Sequence, residues 1–165
     1  MKKFIINIVG PRATGKTTVI KELLEYLPQY EVLAIDDFRL KYGSNTPMKE
    51  FNAWMELSNR INECRYIILE TSGTSQNLRE VYQYLKFYYE LEVFTVYLEA
   101  PLNERIRRQR DRKVRGYIEP IMYFERSIEE ESRASVLPVQ ARIFNVNSAE
   151  ECAGQIMDRL PDTMV

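Results

Sequence analysis

The chain has 165 residues, 45% of them hydrophobic and 28% charged, and its 23 basic and 24 acidic side chains leave a formal net charge of −1. That length and composition suit one folded domain with a real core, with no repeat and no low-complexity segment. The acidic balance excludes a general nucleic-acid coat. The absence of histidine excludes an imidazole base, so any catalytic base comes from a carboxylate or a weaker group.

The elements follow in chain order. Met1-Lys2-Lys3 leads into the apolar run Phe4 to Val9, which reads as a first strand and not as a signal peptide. Gly10-Pro11-Arg12-Ala13-Thr14-Gly15-Lys16-Thr17 then matches the phosphate-binding loop pattern G-x-x-x-x-G-K-[ST] at every fixed position. A helix follows from Lys16 to Leu27, with Ile20, Leu23, Leu24 and Leu27 at helical spacing. Strand, glycine loop and helix start are what the chemistry needs. Glycines open backbone conformations that let successive N–H groups converge on phosphate oxygens, and the helix N-terminus favours the same anion. Lys16 reaches toward the β/γ-phosphates, and the Thr17 hydroxyl can ligate Mg²⁺.

A second strand runs from Glu31 to Ile35 and ends in Asp36-Asp37. Thr46-Pro47 reads as a cap with a first-turn proline, opening a helix that ends near Cys64. Phe51, Trp54 and Met55 mark one face of it, as ordinary core packing or as an aromatic pocket for a flat acceptor. A third strand, Tyr66 to Leu69, closes on Glu70, and the loop Thr71-Ser72-Gly73-Thr74-Ser75 leads into a helix from about Asn77 to Glu90. The tyrosines Tyr82, Tyr84, Tyr88, Tyr89 and Tyr97 read as core, surface or dimer contacts. A fourth strand spans Val93 to Leu98; Pro101 opens an arginine-rich helix broken at Gly116, and another begins near Pro120. A fifth strand spans Arg142 to Val146, and Ser148-Ala149-Glu150-Glu151 is a capping box for the last helix. Cys64 and Cys152 are the two cysteines. Their spacing fits no metal motif, and they read as reduced thiols of a cytoplasmic protein. No stretch is long enough for a membrane span.

Near-continuous apolar strands alternating with helices predict an α/β fold, a five-stranded parallel sheet covered on both faces. Ligands of such sheets sit outside the carboxyl ends of the strands. That rule brings together the loop after Val9, Asp36-Asp37, Glu70 with its following loop including Gly73, and the loop after Val146 carrying Asn147 and Ser148.

With these segments side by side the chain resembles the P-loop kinase family over essentially its whole length. The local motifs are similar to those of the 5′-hydroxyl kinase domain of phage polynucleotide kinase: the phosphate loop, Asp36-Asp37-Phe38-Arg39, and Arg108-Gln109-Arg110-Asp111-Arg112. The resemblance implies a three-layer single domain with an arginine-rich lid at about residues 105–119. It implies Mg²⁺ and ATP, the latter bound by Gly10 to Thr18, Arg108 and Asn147. It also implies Asp36 as base toward an acceptor hydroxyl, Arg39 holding the acceptor, and Arg108 and Arg112 over the transferring phosphate, with Lys16 acting in catalysis. Two features depart from it. The loop interior is Pro11-Arg12-Ala13-Thr14 where Pro-Gly-Ser-like interiors are usual, and Glu70 stands where an aspartate is more usual. Arg12 reads as a cation near the γ-phosphate or as a solvated side chain. Glu70 reads as a magnesium partner beside Thr17 or as an acceptor ligand together with Gly73.

Residue by residue, Asp37 is expected to point away from Asp36 along an extended backbone. Helical phase puts Arg105, Arg108, Arg112 and Arg115 on one side, and Arg107 and Arg110 on the other. The function implied is transfer of the γ-phosphoryl group of Mg·ATP to a hydroxyl of a nucleoside, nucleotide or similar small molecule. The alternatives are a 5′-hydroxyl nucleic acid end, a nucleoside monophosphate, or, in another class, a nucleotide-dependent regulatory switch.

Overall fold

The computed structural model describes residues 1–111 and 135–165. Five strands form one parallel sheet, β1 (Lys2–Val9), β2 (Glu31–Ala34), β3 (Tyr66–Glu70), β4 (Glu90–Glu99) and β5 (Ala141–Phe144), in the order β2-β3-β1-β4-β5. The helices are α1 (Lys16–Tyr26), α2 (Ile35–Tyr42), α3 (Pro47–Glu63), α4 (Gln76–Tyr88), α5 (Leu102–Asp111) and α6 (Ala149–Arg159), followed by a short 3₁₀ turn, Asp162–Met164. β1 is central, and the chain moves outward to β2, back to β3, and then across β1 to β4. That reversal of direction opens a crevice at the carboxyl ends of β1 and β3, the position where such sheets take ligands.

Alternation along β1 divides the core. Phe4, Ile6 and Ile8 pack with Val19, Ile20 and Leu23 of α1 and Cys152, Ala153 and Ile156 of α6. Ile5 faces the other way, among Trp54, Leu57 and Ile61 of α3 and Leu78, Val81, Tyr82 and Leu85 of α4. Successive strand residues point to opposite faces, so the two layers follow from the apolar run itself. Cys64 and Cys152 are buried, unpaired thiols in different layers. Tyr82 and Tyr97 are core residues, whereas Tyr84 and Tyr88 of α4 are exposed. No helix among the described residues is long and apolar enough to cross a membrane.

Local signals place several boundaries where the sequence puts them. The Thr46 hydroxyl accepts from the Lys49 N–H at 3.2 Å with Pro47 in the first turn, and the Ser148 hydroxyl accepts from the Glu151 N–H at 3.1 Å. Other boundaries differ. β2 stops at Ala34, and Ile35 to Arg39 already belong to α2, where two acids in the first turn suit the positive end of the helix dipole. β4 begins three residues earlier than the apolar run, because Glu90, Leu91 and Glu92 pair with Lys2, Lys3 and Phe4 of β1. The Lys2 ammonium lies 2.7 Å from Glu92, so charge complementarity carries the strand through a segment with no apolar pattern. β5 ends at Phe144, and Asn145 leaves the strand. The expected break at Gly116, the helix near Pro120 and the part of the lid from residue 112 onward lie outside the described residues.

At the amino end of the central strand, away from the crevice, Lys3 is fully buried. Its ammonium donates to the carbonyls of Ile61, Asn62 and Cys64 at 3.1, 3.0 and 2.5 Å. These are the last carbonyls of α3, which lack helical partners and carry the negative end of its dipole. Lys3→Met keeps the length of the side chain and strands three acceptors. It is expected to lower the unfolding free energy by about 2–4 kcal/mol, read from urea denaturation at unchanged m value.

Candidate functional site

The loop between β1 and α1 has the shape its glycines predict. Gly15 sits at φ +90°, and a Cβ there would come within 2.4 Å of Asn145 Nδ2. Ala13 also lies in the left-handed region, at φ 60°, so consecutive peptide units turn their N–H groups to one side and their carbonyls to the other, an anion-binding nest. The carbonyls are held from behind. Arg105 Nε donates to Arg12 O at 2.9 Å, Arg108 NH1 to Ala13 O at 3.2 Å, and Asn145 Nδ2 to Thr14 O at 2.9 Å. Within the loop, the Thr14 hydroxyl donates to Pro11 O at 3.0 Å. Lys16 Nζ bridges the carbonyls of Gly10 and Pro11 at 2.8 and 2.9 Å, which places its ammonium across the mouth of the loop.

The carboxyl end of β3 lies against the start of α1. The Thr17 hydroxyl donates to Glu70 Oε1 at 2.8 Å. Gly10 N–H donates to Ser72 O at 3.2 Å, fastening the loop to the segment after β3. Burial pushes the Glu70 carboxyl above its ordinary value, against the Thr17 hydrogen bond and the charge of Lys16, while Asp36 and Asp37 push it further up. Those influences put Lys16, Thr17, Glu70, Asp36 and Asp37 in one neighbourhood. Thr17 and Glu70 offer two adjacent oxygens, hard ligands of the kind Mg²⁺ takes. Among the described residues no group of three or more His, Cys, Asp or Glu could hold a metal ion.

Asp36 and Asp37 both lie exposed in the first turn of α2. This corrects the expectation of an extended backbone: on a helix the two side chains diverge by about 100° rather than 180°. Asp36 Oδ1 accepts from Arg39 NH1 at 3.1 Å. The opposite edge of Arg39 is taken by Glu50 of α3, with Arg39 NH2 to Glu50 Oε1 at 2.7 Å and Nε to the two carboxylate oxygens at 3.1 and 3.2 Å. Trp54 Nε1 donates to the same Glu50 Oε1 at 2.9 Å. Burial raises the Glu50 carboxyl, but the hydrogen bonds from Arg39 and Trp54 and the Arg39 charge outweigh it and hold Glu50 below the usual range.

The remaining expected residues separate. Thr18 is exposed behind Thr17, and Arg12 is half-buried with its carbonyl on Arg105. Arg105 and Arg108 face the loop while Arg107 pairs with Glu104 at 2.7 Å on the outer side, the division that helical phase gives. Arg112 lies outside the described residues. Gly73, at φ +84°, rests its Cα against Val9, where a Cβ would meet the valine at 2.8 Å. Its N–H donates to Thr71 Oγ1 at 3.0 Å and its carbonyl accepts from Val136 N–H at 2.8 Å. Asn147 is exposed beyond β5, and the asparagine that touches the loop is Asn145. Phe51 and Met55 are half-exposed and line, with buried Trp54, a cleft of about 300 Å³ between α3 and α4. Sequence reasoning missed Asn145 and Glu50. Asn145 is a single polar residue at a strand end, and Glu50 lies 11 residues from Arg39, outside any local motif.

The burial of Glu70 has a consequence for stability. Its pKa in the folded protein lies above the ordinary 4.5, so the folded state holds the proton more tightly than the unfolded chain. Stability therefore falls as pH rises from the unfolded value through the folded one, and the ionised carboxylate costs stability at neutral pH. Glu70→Gln still accepts from Thr17 and removes that cost. Its melting temperature at pH 7 is expected to exceed wild type by about 2–4 °C, with the difference vanishing below pH about 4.

Comparisons with known proteins bear on the family and the fold. The family model described as an AAA domain matches residues 5–121. No curated protein matches the sequence significantly. Among solved structures, a putative kinase from Chloroflexus aurantiacus superposes with TM-score 0.73 at 16% identity, over 98% of this chain and 100% of that one. The APS kinase of Mycobacterium tuberculosis, in complex with AMPPNP and APS, gives TM-score 0.64 at 16% identity over 94% and 96%. Shikimate kinase from Acinetobacter baumannii, in complex with shikimate, gives 0.62 at 21% identity over 93% and 90%. The match over most of its length makes this chain a member of the AAA domain family, and its fold is that of the P-loop kinases.

Proposed function

We propose that the chain is an ATP-dependent kinase that transfers the γ-phosphoryl group to a hydroxyl of a small molecule such as a nucleoside or nucleotide, with the whole site carried by one domain. The observation that carries this reading is the convergence of a formed phosphate loop, the Thr17–Glu70 pair at 2.8 Å and the Asp36–Arg39 pair at 3.1 Å at one end of the sheet. A regulatory switch needs the first two and has no use for the third. The fold neighbours include kinases in complex with APS and with shikimate, which supports a small acceptor.

In this mechanism backbone N–H groups of the loop from Arg12 to Thr17 and the Lys16 ammonium bind the β/γ-phosphates. Lys16 leaves the Gly10 and Pro11 carbonyls to do so. Thr17 and Glu70 would hold Mg²⁺, which would neutralise charge on the phosphate oxygens. Arg105 and Arg108 keep the loop in shape from behind and add positive charge beside it. Arg108 and Arg112 remain the candidates for charge on the transferring group, and Asn147 for the adenine border. Asp36, solvent-facing in the first turn of α2 and oriented by Arg39, accepts the proton of the acceptor hydroxyl as its oxygen bonds to phosphorus and ADP leaves. Phosphoryl transfer needs positioning more than a strong base, yet base assistance is worth about 10²–10⁴ in rate.

The test is transfer from γ-labelled ATP to a panel of nucleosides, nucleotides, 5′-hydroxyl oligonucleotides and polyols, followed by single-turnover kinetics on the best acceptor. Asp36→Asn is expected to lower the rate of transfer by about 10²–10⁴ with ATP affinity nearly unchanged, and Asp37→Asn to do less. Near-normal transfer by Asp36→Asn would remove the hydroxyl-acceptor mechanism.

A further inference from the structure

The acceptor side carries a run of contacts from core to solvent whose charges are already matched. Trp54 is 3% exposed. The side chains of Glu50 and Arg39 are 23% and 29% exposed, and that of Asp36 is 84% exposed. Each contacts the next: Trp54 Nε1 to Glu50 at 2.9 Å, Arg39 NH2 to Glu50 at 2.7 Å, Arg39 NH1 to Asp36 at 3.1 Å. The anchored end is therefore Glu50, and the end that meets a ligand is Asp36. The Nε/NH2 edge of Arg39, the fork that would clamp a carboxylate or phosphate in two parallel bonds, is spent on Glu50.

The charges sum to one negative: Glu50 and Asp36 against Arg39. Asp37 and Glu70 lie close by, since both aspartates act on the Glu70 carboxyl. Lys16, whose charge also acts on Glu70, belongs to the phosphate loop. An anionic acceptor would have to displace Glu50 from Arg39 and then face Asp36 and its acidic neighbours. A hydroxyl compound without an anionic group meets neither obstacle.

We propose that Glu50 is a positioning and specificity-determining residue: by occupying the Nε/NH2 edge of Arg39 it turns NH1 onto Asp36 and makes the acceptor site select uncharged or cationic hydroxyl compounds over phosphorylated or carboxylated ones. This rests on the hydroxyl-transfer reading and narrows its substrate class. It also changes the part Arg39 plays, from a ligand of the acceptor to a support for the base.

The experiment measures kcat/KM on acceptor pairs that differ by an anionic group: glycerol and glycerate, glucose and gluconate, thymidine and thymidine 3′-monophosphate. Wild type is expected to favour the neutral member of the pair it uses by at least about tenfold, because like-charge juxtaposition is penalised. Glu50→Gln keeps an acceptor for Trp54 and Arg39 but uncovers the guanidinium charge. It is expected to narrow that preference by about tenfold. The gain on the anionic member should appear in KM with kcat nearly unchanged, since the uncovered guanidinium binds the anionic group and not the transferring phosphate. A wild type that prefers the anionic members overturns the inference and needs no variant to fold. So does a Glu50→Gln variant that leaves both the preference and the KM of the anionic member in place. A wild type that binds Mg·ATP yet transfers to no member of any pair overturns the transfer reading, and this inference with it.

Discussion

The carbonyl side of the phosphate loop is where the structure is committed. A chain segment can aim its N–H groups at an anion only if its carbonyls find partners elsewhere. Here three donors supply them, Arg105, Arg108 and Asn145, on the carbonyls of Arg12, Ala13 and Thr14. Two of those donors come from α5 and one from the end of β5. The loop near the N-terminus is thus shaped by residues 93 to 131 positions later, which β4 and β5 bring alongside. The loop therefore takes its shape from contacts that α5 and the end of β5 supply. Asn145 ties in further: its carbonyl accepts from Arg108 NH2 at 3.2 Å, and its backbone N–H donates to Glu99 O at 2.7 Å.

Against that fixed frame, the crevice itself is electrostatically costly. Glu70 is pushed up by burial and by two neighbouring aspartates, against the hydrogen bond it accepts from Thr17. Like charges held close in partly buried surroundings oppose folding, and such arrangements recur where a site awaits cations or donors. The opposite end of the sheet shows the contrary arrangement. Lys3 satisfies three carbonyls at the end of α3. A satisfied buried cation thus lies toward the amino ends of the strands and a crowded acidic crevice at the carboxyl ends.

Much of this was readable in the sequence because it is local. The loop pattern, the apolar strands, Thr46-Pro47 and Ser148 each depend on residues within one turn or one strand of themselves. Two site features were not readable. Asp36 and Asp37 follow an apolar strand, so they look like its tail, and only the dipole of α2 explains why the helix has already begun. Glu50 and Asn145 act on residues far from them in sequence, through contacts that no spacing rule describes. The charged start of β4 escaped for a related reason: its partner is Lys2, nearly ninety residues earlier. What spacing could give was the segments that meet; what it could not give was which side chains are already spent on one another when they do.

The central claim is that the loop from Gly10 to Thr17 is a phosphate site whose charge is completed by Lys16. Calorimetric titration with Mg·ATP, on wild type and Lys16→Ala side by side, tests it most directly. Lys16 faces the mouth of the loop and not the core, so the variant should keep its fold. The account predicts saturable binding by wild type and a loss of at least about tenfold in Lys16→Ala, the effect expected of removing a charged hydrogen bond to phosphate. Equal affinity in the two proteins would contradict it.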